Sequence, residues 1–328
     1  MFTELYLGKF KNFVDATLKM GPLTVLIGPN ASGKSNVRDL FRFLLGNFRG
    51  CTFEENVFGK WGEGGNLEWP GVRGQLSDYE EATCRFITND NEVSSDFLKG
   101  ILKSPLPKYF AFMRFLDLSP DALRRPSAPG LSVLGDRGEN LSSALQAICA
   151  DEKDKAALLS WLRELTPMAV TDLIFREYAD GLIQLAIVEE NGRITSAGSA
   201  SDGTLRLLGL LALILGPKVP KFLFIEEVEN GFHPQGLRLV VDLLQRLAPS
   251  RGCQVVVTTH NPYLLSLLSA QTLETTSLIY RLPGEEEGRI VPVLEIPHLR
   301  QALEHQDLGQ LLTGNWMEIT LEFARGEV

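Results

Sequence analysis

Eight consecutive residues, Gly28, Pro29, Asn30, Ala31, Ser32, Gly33, Lys34 and Ser35, fit the pattern G-x-x-x-x-G-K-[ST]. Outer glycines in such a segment permit backbone angles that turn successive N–H groups inward, making a nest for phosphate oxygens at a helix N-terminus. Lys34 is then placed to reach β- and γ-phosphates and the Ser35 hydroxyl to ligate Mg²⁺, with the binding segment running through Asn36. Far along the chain, the apolar run Lys221 to Ile225 ends in Glu226 and Glu227. The first acid suits a Mg²⁺ shell; the second suits polarisation of an attacking water, which needs a carboxylate within hydrogen-bond reach. A second apolar run, Gln254 to Thr259, ends in His260, a side chain able to donate to a γ-phosphate. Together Lys34, Glu227 and His260 could catalyse ATP hydrolysis, with Ser35 and Glu226 on the metal. Ser201, Asp202 and Gly203 open another apolar stretch. Ser and Asp are ordinary N-cap residues; the alternative is that this helix N-terminus binds the γ-phosphate of ATP held by another copy of the chain.

These residues need particular elements behind them. Leu23, Val25, Leu26 and Ile27 form a strand entering the glycine loop, and Val37, Leu40, Phe41, Phe43, Leu44 and Leu45 form an amphipathic helix over 34–46 leaving it. Two strands are expected earlier, Leu5 to Phe10 and Val14 to Leu18. Between Gly46 and about Gly138 the pattern weakens around glycine- and proline-rich stretches, with short strands at 83–88 and 109–116. Asn140 can cap a helix through Ile148, and Lys155 to Leu165 makes a second. Strands at 170–178 and 182–188 precede the helix that Ser201 opens. There follow strand 221–226, helix 235–247, strand 254–259, helix 262–269 and strands near 277–280 and 290–294. Alternation of helices with near-continuously apolar strands indicates an α/β fold with a parallel sheet covered on both faces.

Composition bounds the reading. The 328 residues are 44% hydrophobic and 22% charged, enough for a full globular core. No uninterrupted apolar run of about 18 residues occurs and the N-terminus shows no signal-peptide pattern, so the expected location is cytoplasmic with no membrane contact. Cys51, Cys84, Cys149 and Cys253 are scattered without a C-x-x-C pair, which argues against a zinc site or a disulfide framework. The net charge of −9 disfavours DNA grip by this chain alone, since phosphate neutralisation supplies most non-specific affinity. The acidic cluster Glu285, Glu286 and Glu287 reads as a solvated turn.

The series GPNASGKSN, SDGTLRLLGLLALIL, FLFIEEVENGFHP and VVVTTHNP resembles the stand-alone ABC-type (SMC/RecF/OLD-like) AAA family ATPases of the AAA_21/AAA_15 kind, related to the ATPase part of OLD nucleases. The likeness spans roughly residues 1–270. It implies a P-loop NTPase fold with an ABC-type head: a mixed or parallel central sheet, an inserted helical lobe and N-terminal antiparallel strands. It implies one domain over 1–328, divided into a P-loop lobe (1–46), inserted strands and helical lobe (47–200), a lobe with signature, Walker B and switch histidine (201–270), and C-terminal strands and helix (271–328). It further implies a homodimer or higher oligomer closed head-to-tail around two ATPs, with Ser201 and Gly203 as a signature acting in trans, Glu229-Asn230 as the D-loop and His260 as the switch. Val228 stands where a proline is usual and Asn261 where the family carries serine; neither change removes a catalytic group. The residues after Ala270 are too few for a Toprim nuclease. The expectation is therefore a regulatory ATPase whose nucleotide state controls a separate effector, a nuclease or toxin, in bacterial anti-phage defence, with DNA reached through the complex. The alternative is a RecF-like DNA repair ATPase that clamps DNA directly.

Overall fold

A computed structural model describes residues 2–49, 71–76, 112–165, 169–282 and 284–313. In chain order the strands and longer helices are β1 (Phe2–Phe10), β2 (Phe13–Lys19), β3 (Leu23–Ile27), α1 (Lys34–Arg49), β4 (Gly71–Leu76), β5 (Met113–Leu116), α2 (Leu141–Cys149) and α3 (Glu152–Leu165). Then come β6 (Val170–Glu177), β7 (Ile183–Glu189), β8 (Ile194–Ser196), α4 (Asp202–Leu215), β9 (Phe222–Ile225) and α5 (Pro234–Asp242). The chain continues through β10 (Gln254–Thr259), α6 (Pro262–Ser266), β11 (Thr276–Arg281), β12 (Gly288–Pro292) and α7 (Leu308–Thr313). It folds into two compact units: one comprises Met1–Met113, Glu226–Val228 and Gln254–Val328, the other Arg114–Ile225 and Glu229–Cys253.

In the first unit β3 is buried at all five residues and β10 at all six, the signature of strands covered on both faces. β10 and β11 flank β3 in parallel, and β12 returns antiparallel to β11. A separate antiparallel sheet has the order β2-β1-β4. Its first two strands form a hairpin that pairs Phe10 with Phe13 across the tip Lys11-Asn12, where Lys11 adopts a positive φ of 53°. Phe2, Leu5, Leu7 and Phe10 on β1 and Phe13, Ala16 and Leu18 on β2 are buried, while Val14 faces out. β4 is recognisable only through its pairing with β1, since its Gly-Val-Arg-Gly-Gln-Leu lacks an apolar pattern. Helix α1 buries Val37, Leu40 and Phe41, and the Phe41 ring meets Phe2 edge-on with centroids 6.4 Å apart.

The second unit holds β5 (apart from Met113) and β9, with Phe115 and Phe224 rings 6.1 Å apart, and the antiparallel sheet β6-β7-β8. Helix α4 is apolar nearly all round, burying every residue from Leu207 to Leu215 as well as Leu205, so it is a core element. Packing against it is α2, which also meets β7.

Several expected elements shift for local reasons. Asn140 stands at the N-cap of α2, but its side chain does not cap; it ties the preceding loop instead, accepting from Gly135 N–H (2.7 Å) and donating to the Leu131 and Val133 carbonyls (3.0 and 2.8 Å). Helix α3 begins earlier than expected because the Asp151 carboxylate accepts from the Lys153 and Asp154 N–H groups. Helix α5 passes into a π-helical turn at Leu243–Leu247. The helix expected over 262–269 stops at Ser266, and Ser269 caps a new short helix, accepting from Thr272 N–H at 3.2 Å. Only the end of the strand expected at 109–116 is described, as β5, and the strand expected at 83–88 lies outside the described residues. In the acidic run Glu285 and Glu286 are exposed and Glu287 is half-buried, and Glu285 pairs with Arg289.

Candidate functional site

The strand ends of the first unit define one edge. Thr259 at the end of β10 is in register with Ile27 at the end of β3, so Gly28 and His260 leave the sheet at the same level. At Gly28 the backbone turns with φ +154°, and a Cβ there would lie 2.1 Å from the Ile279 carbonyl oxygen of β11; no other residue fits. Ala31 follows at φ 61° and Gly33 at φ +119°. A Cβ on Gly33 would meet Asn12 Nδ2 at 2.9 Å and Phe13 Cζ at 3.0 Å. The loop is therefore folded tightly under the tip of the β1–β2 hairpin.

Asn12 is the anchor of this arrangement. Its Nδ2 donates to the Ser32 carbonyl (3.3 Å), its Oδ1 accepts from Asn36 Nδ2 (2.6 Å), and its own carbonyl accepts from Gly288 N–H (2.6 Å). One residue so holds the loop, the first turn of α1 and the start of β12. The loop itself fits an anion. Ser32 Oγ is buried and makes no hydrogen bond among the described residues, although a buried hydroxyl ordinarily finds a partner. The buried Lys34 ammonium donates to the Gly28 and Pro29 carbonyls at 2.6 and 2.7 Å, across the concave side of the loop. The first turn of α1 closes on the Gly33 carbonyl, which accepts from the Asn36 and Val37 N–H groups at 2.9 and 3.3 Å.

Ser35, in the first turn of α1, donates to Glu226 Oε1 at 3.0 Å. These two hard oxygens are the kind of pair that could hold Mg²⁺, which takes few protein ligands and keeps waters. The other carboxylate oxygen of Glu226, Oε2, is ion-paired with Arg38 NH1. Arg38 also gives Nε and NH2 to Asp39 Oδ1 (3.1 and 2.9 Å), and Asp39 Oδ2 receives Lys11 Nζ at 2.5 Å. Burial pulls the Arg38 pKa down, but the charges of Glu226 and Asp39 outweigh it and leave the guanidinium above its ordinary value. Burial pushes the Asp39 carboxyl up, and its bonds to Lys11 and Arg38 more than reverse that, leaving it below the usual range.

Glu227 sits at φ 45°, an unfavourable left-handed conformation for a side-chain-bearing residue, and is held there by β10. Its N–H donates to Thr258 Oγ1 (2.9 Å) and the next N–H, of Val228, to the Thr258 carbonyl (3.2 Å). His260 is exposed between the end of β10 and the cap of α6. That cap is Asn261, whose Oδ1 accepts from Tyr263 and Leu264 N–H, the task a serine can also perform.

In the second unit Ser201 caps α4, its Oγ accepting from Thr204 N–H at 3.1 Å, and both Ser201 and Asp202 are exposed. Asp202 is paired with Arg124 at 2.5 Å. Gly203 faces the turn after the acidic pair: a Cβ there would lie 2.9 Å from the Gly231 carbonyl oxygen. Arg206 NH1 donates to the Asn230 carbonyl at 2.6 Å. The first unit thus gathers Gly28 to Asn36, Glu226, Glu227 and His260, and the second carries Ser201 to Gly203. Sequence reading missed Lys11, Asn12, Arg38 and Asp39. Arg38 and Asp39 left a signal, three and four residues after Ser35 and hence on the same helix face.

The fold is that of the ABC-type, SMC-like P-loop heads. Residues 23–74 and 85–266 match the family described as "AAA domain, putative AbiEii toxin, Type IV TA system", and the chain belongs to that family. A 56-residue stretch is 46% identical to the chromosome partition protein Smc of Desulfitobacterium hafniense (strain Y51), covering 15% of this chain and 5% of that protein. Another, of 120 residues, is 30% identical to the Smc protein of Bordetella petrii, covering 30% and 10%. The matched stretches are thus a small part of these curated relatives. The SmcHead solved bound to the C-winged helix domain of ScpA shares the fold, with a TM-score of 0.56 at 15% identity over 93% of this chain and 99% of that one. Among the described residues no helix is long and apolar enough to cross a membrane.

Proposed function

We propose that this chain binds ATP with Mg²⁺ at Gly28 to Asn36 and hydrolyses it as half of a head-to-tail pair. The observation that carries the reading is the 3.0 Å contact of Ser35 Oγ with Glu226 Oε1, which brings together residues 191 positions apart beside a loop with an unsatisfied buried hydroxyl. Ser35 and Glu226 would hold the cation, which when bound neutralises charge on the transferring phosphoryl group. Lys34 would exchange the Gly28 and Pro29 carbonyls for phosphate oxygens, and the Ser32 hydroxyl would gain its missing partner. Glu227, whose backbone N–H is held by Thr258, would orient and polarise the attacking water. His260 would donate to the γ-phosphate from the adjacent strand end. Ser201, Asp202 and Gly203 of a second copy would complete the site from a helix N-terminus.

The wider role we infer is control of a separate effector, a nuclease or toxin, in bacterial anti-phage defence. The toxin–antitoxin wording of the family supports it, as does a structural neighbour that is an SMC head bound to a partner. A RecF-like clamp on DNA is the second reading, favoured by the identity to Smc proteins; a strongly salt-dependent DNA affinity of the isolated chain would select it over the net charge of −9. The hydrolytic mechanism is tested with Glu227→Gln. With ATP and Mg²⁺ this variant should lose turnover by at least about a hundredfold, the scale of general-base loss, and sediment as a dimer. A monomeric or fully active variant would refute the mechanism.

A further inference from the structure

The ion pair on Glu226 is the feature that the proposed reaction leaves unused. Ser35 and Arg38, one turn apart on α1, take the two oxygens of a single carboxylate: Ser35 Oγ on Oε1 and Arg38 NH1 on Oε2. A divalent cation placed at Ser35 and Oε1 would therefore meet a carboxylate whose charge is already shared with a guanidinium. Behind Arg38 stands Asp39, which grips it through Nε and NH2 and is itself balanced by Lys11 at the hairpin tip. The guanidinium fork divides its contacts: Nε and NH2 stay with Asp39 while NH1 reaches Glu226. NH1 can thus let go of Glu226 without Arg38 losing its second carboxylate.

We propose that Arg38 is a positioning residue that competes with the divalent cation for Glu226, with Asp39 holding it when it yields. This rests on the nucleotide and metal reading given above. The charge chain Lys11, Asp39, Arg38, Glu226 alternates in sign, so weakening one link strengthens its neighbour. Removing the Arg38 charge frees Glu226 for the metal. Neutralising Asp39 removes the holding place and leaves Arg38 with Glu226 alone. The two changes act in opposite directions, which a merely structural ion pair would not produce.

The test uses the full-length chain, a fluorescent ATP analogue and Mn²⁺ as probe, with free Mn²⁺ read by electron paramagnetic resonance and nucleotide affinity measured with and without EDTA. Arg38→Gln should lower the half-saturating Mn²⁺ concentration about tenfold, the scale of one unit charge beside a divalent ion even at the dielectric constant of water. Asp39→Asn should raise it several-fold. Should Arg38→Gln fail to fold, Arg38→Met keeps the aliphatic stem and should give the same direction. Metal curves that coincide with wild type, or that move the same way in both variants, overturn the inference while leaving nucleotide binding intact. Wild-type protein that binds no nucleotide in either condition overturns the site reading and this inference with it.

Discussion

Asn12 offers a direct way to ask how the hairpin tip prepares the phosphate loop. Replacing it by alanine removes two side-chain hydrogen bonds, the 3.3 Å one to the Ser32 carbonyl and the 2.6 Å one from Asn36. The backbone bond from Gly288 survives, since it uses the Asn12 carbonyl. A neutral hydrogen bond contributes about 0.5–1.5 kcal/mol net, and the longer one falls at the low end. Asn12 and Asn36 are half-buried, so water recovers part of the loss. The global cost is then about 1–2 kcal/mol, or about 1.5–3 °C in Tm for a chain of this length. The local effect is larger in kind, because the loop around Ser32 would have to be ordered by the ligand rather than before it arrives. Ordering costs of this size correspond to about tenfold in affinity. Titration with a fluorescent ATP analogue, alongside thermal melting, measures both. Asn12→Asp keeps the acceptor for Asn36 but sets a carboxylate against the Ser32 carbonyl, so it should recover more of the Tm than of the affinity. If Asn12→Ala melts lower yet binds nucleotide within twofold of wild type, the hairpin tip holds the fold and not the loop.

Gly28→Ala should abolish nucleotide binding, because its Cβ would sit 2.1 Å from the rigid Ile279 carbonyl and the φ of +154° disfavours any side chain; a variant that folds and binds normally would refute the loop geometry. Burial pushes the Cys253 thiol from 9.0 up to about 12 and the Cys149 thiol up to about 11. Both should resist alkylation at pH 8 in native protein, as judged by peptide mass spectrometry, and react on unfolding. The sign for stability follows: the unfolded chain loses these protons first, so their contribution is intact below about pH 9 and declines as pH climbs towards the folded values. A native Cys253 that alkylates as fast as the unfolded one would contradict its placement.

The parts of the site legible in the sequence are those whose chemistry is written in adjacent residues. The glycines, Lys34 and Ser35 lie in one segment, and each apolar run pointed to the polar residue that ends it: Ile225 to Glu226, Thr259 to His260. Ser201 declared itself as a cap, and it is one. What stayed hidden depends on pairings distant in the chain. Asn12 looks like a hairpin residue until Ser32 and Asn36 are folded beneath it. Asp39 reads as one more polar position on an amphipathic helix until Lys11 reaches it. Asn140 shows the converse: its type and place predicted a cap, but the loop at Leu131 to Gly135 offered more partners to the same side chain. β4 had no apolar alternation of its own to reveal it.

The close approach of Gly203 to the Gly231 carbonyl, with Arg206 clasping the Asn230 carbonyl, makes the start of α4 and the turn beyond the acidic pair one mechanical part. Neither can be displaced along the other without a collision or a broken bond. A push delivered at Ser201 therefore reaches Asn230 through a single side chain, Arg206, and the close backbone approach beside it, much as two teeth on one cog turn together.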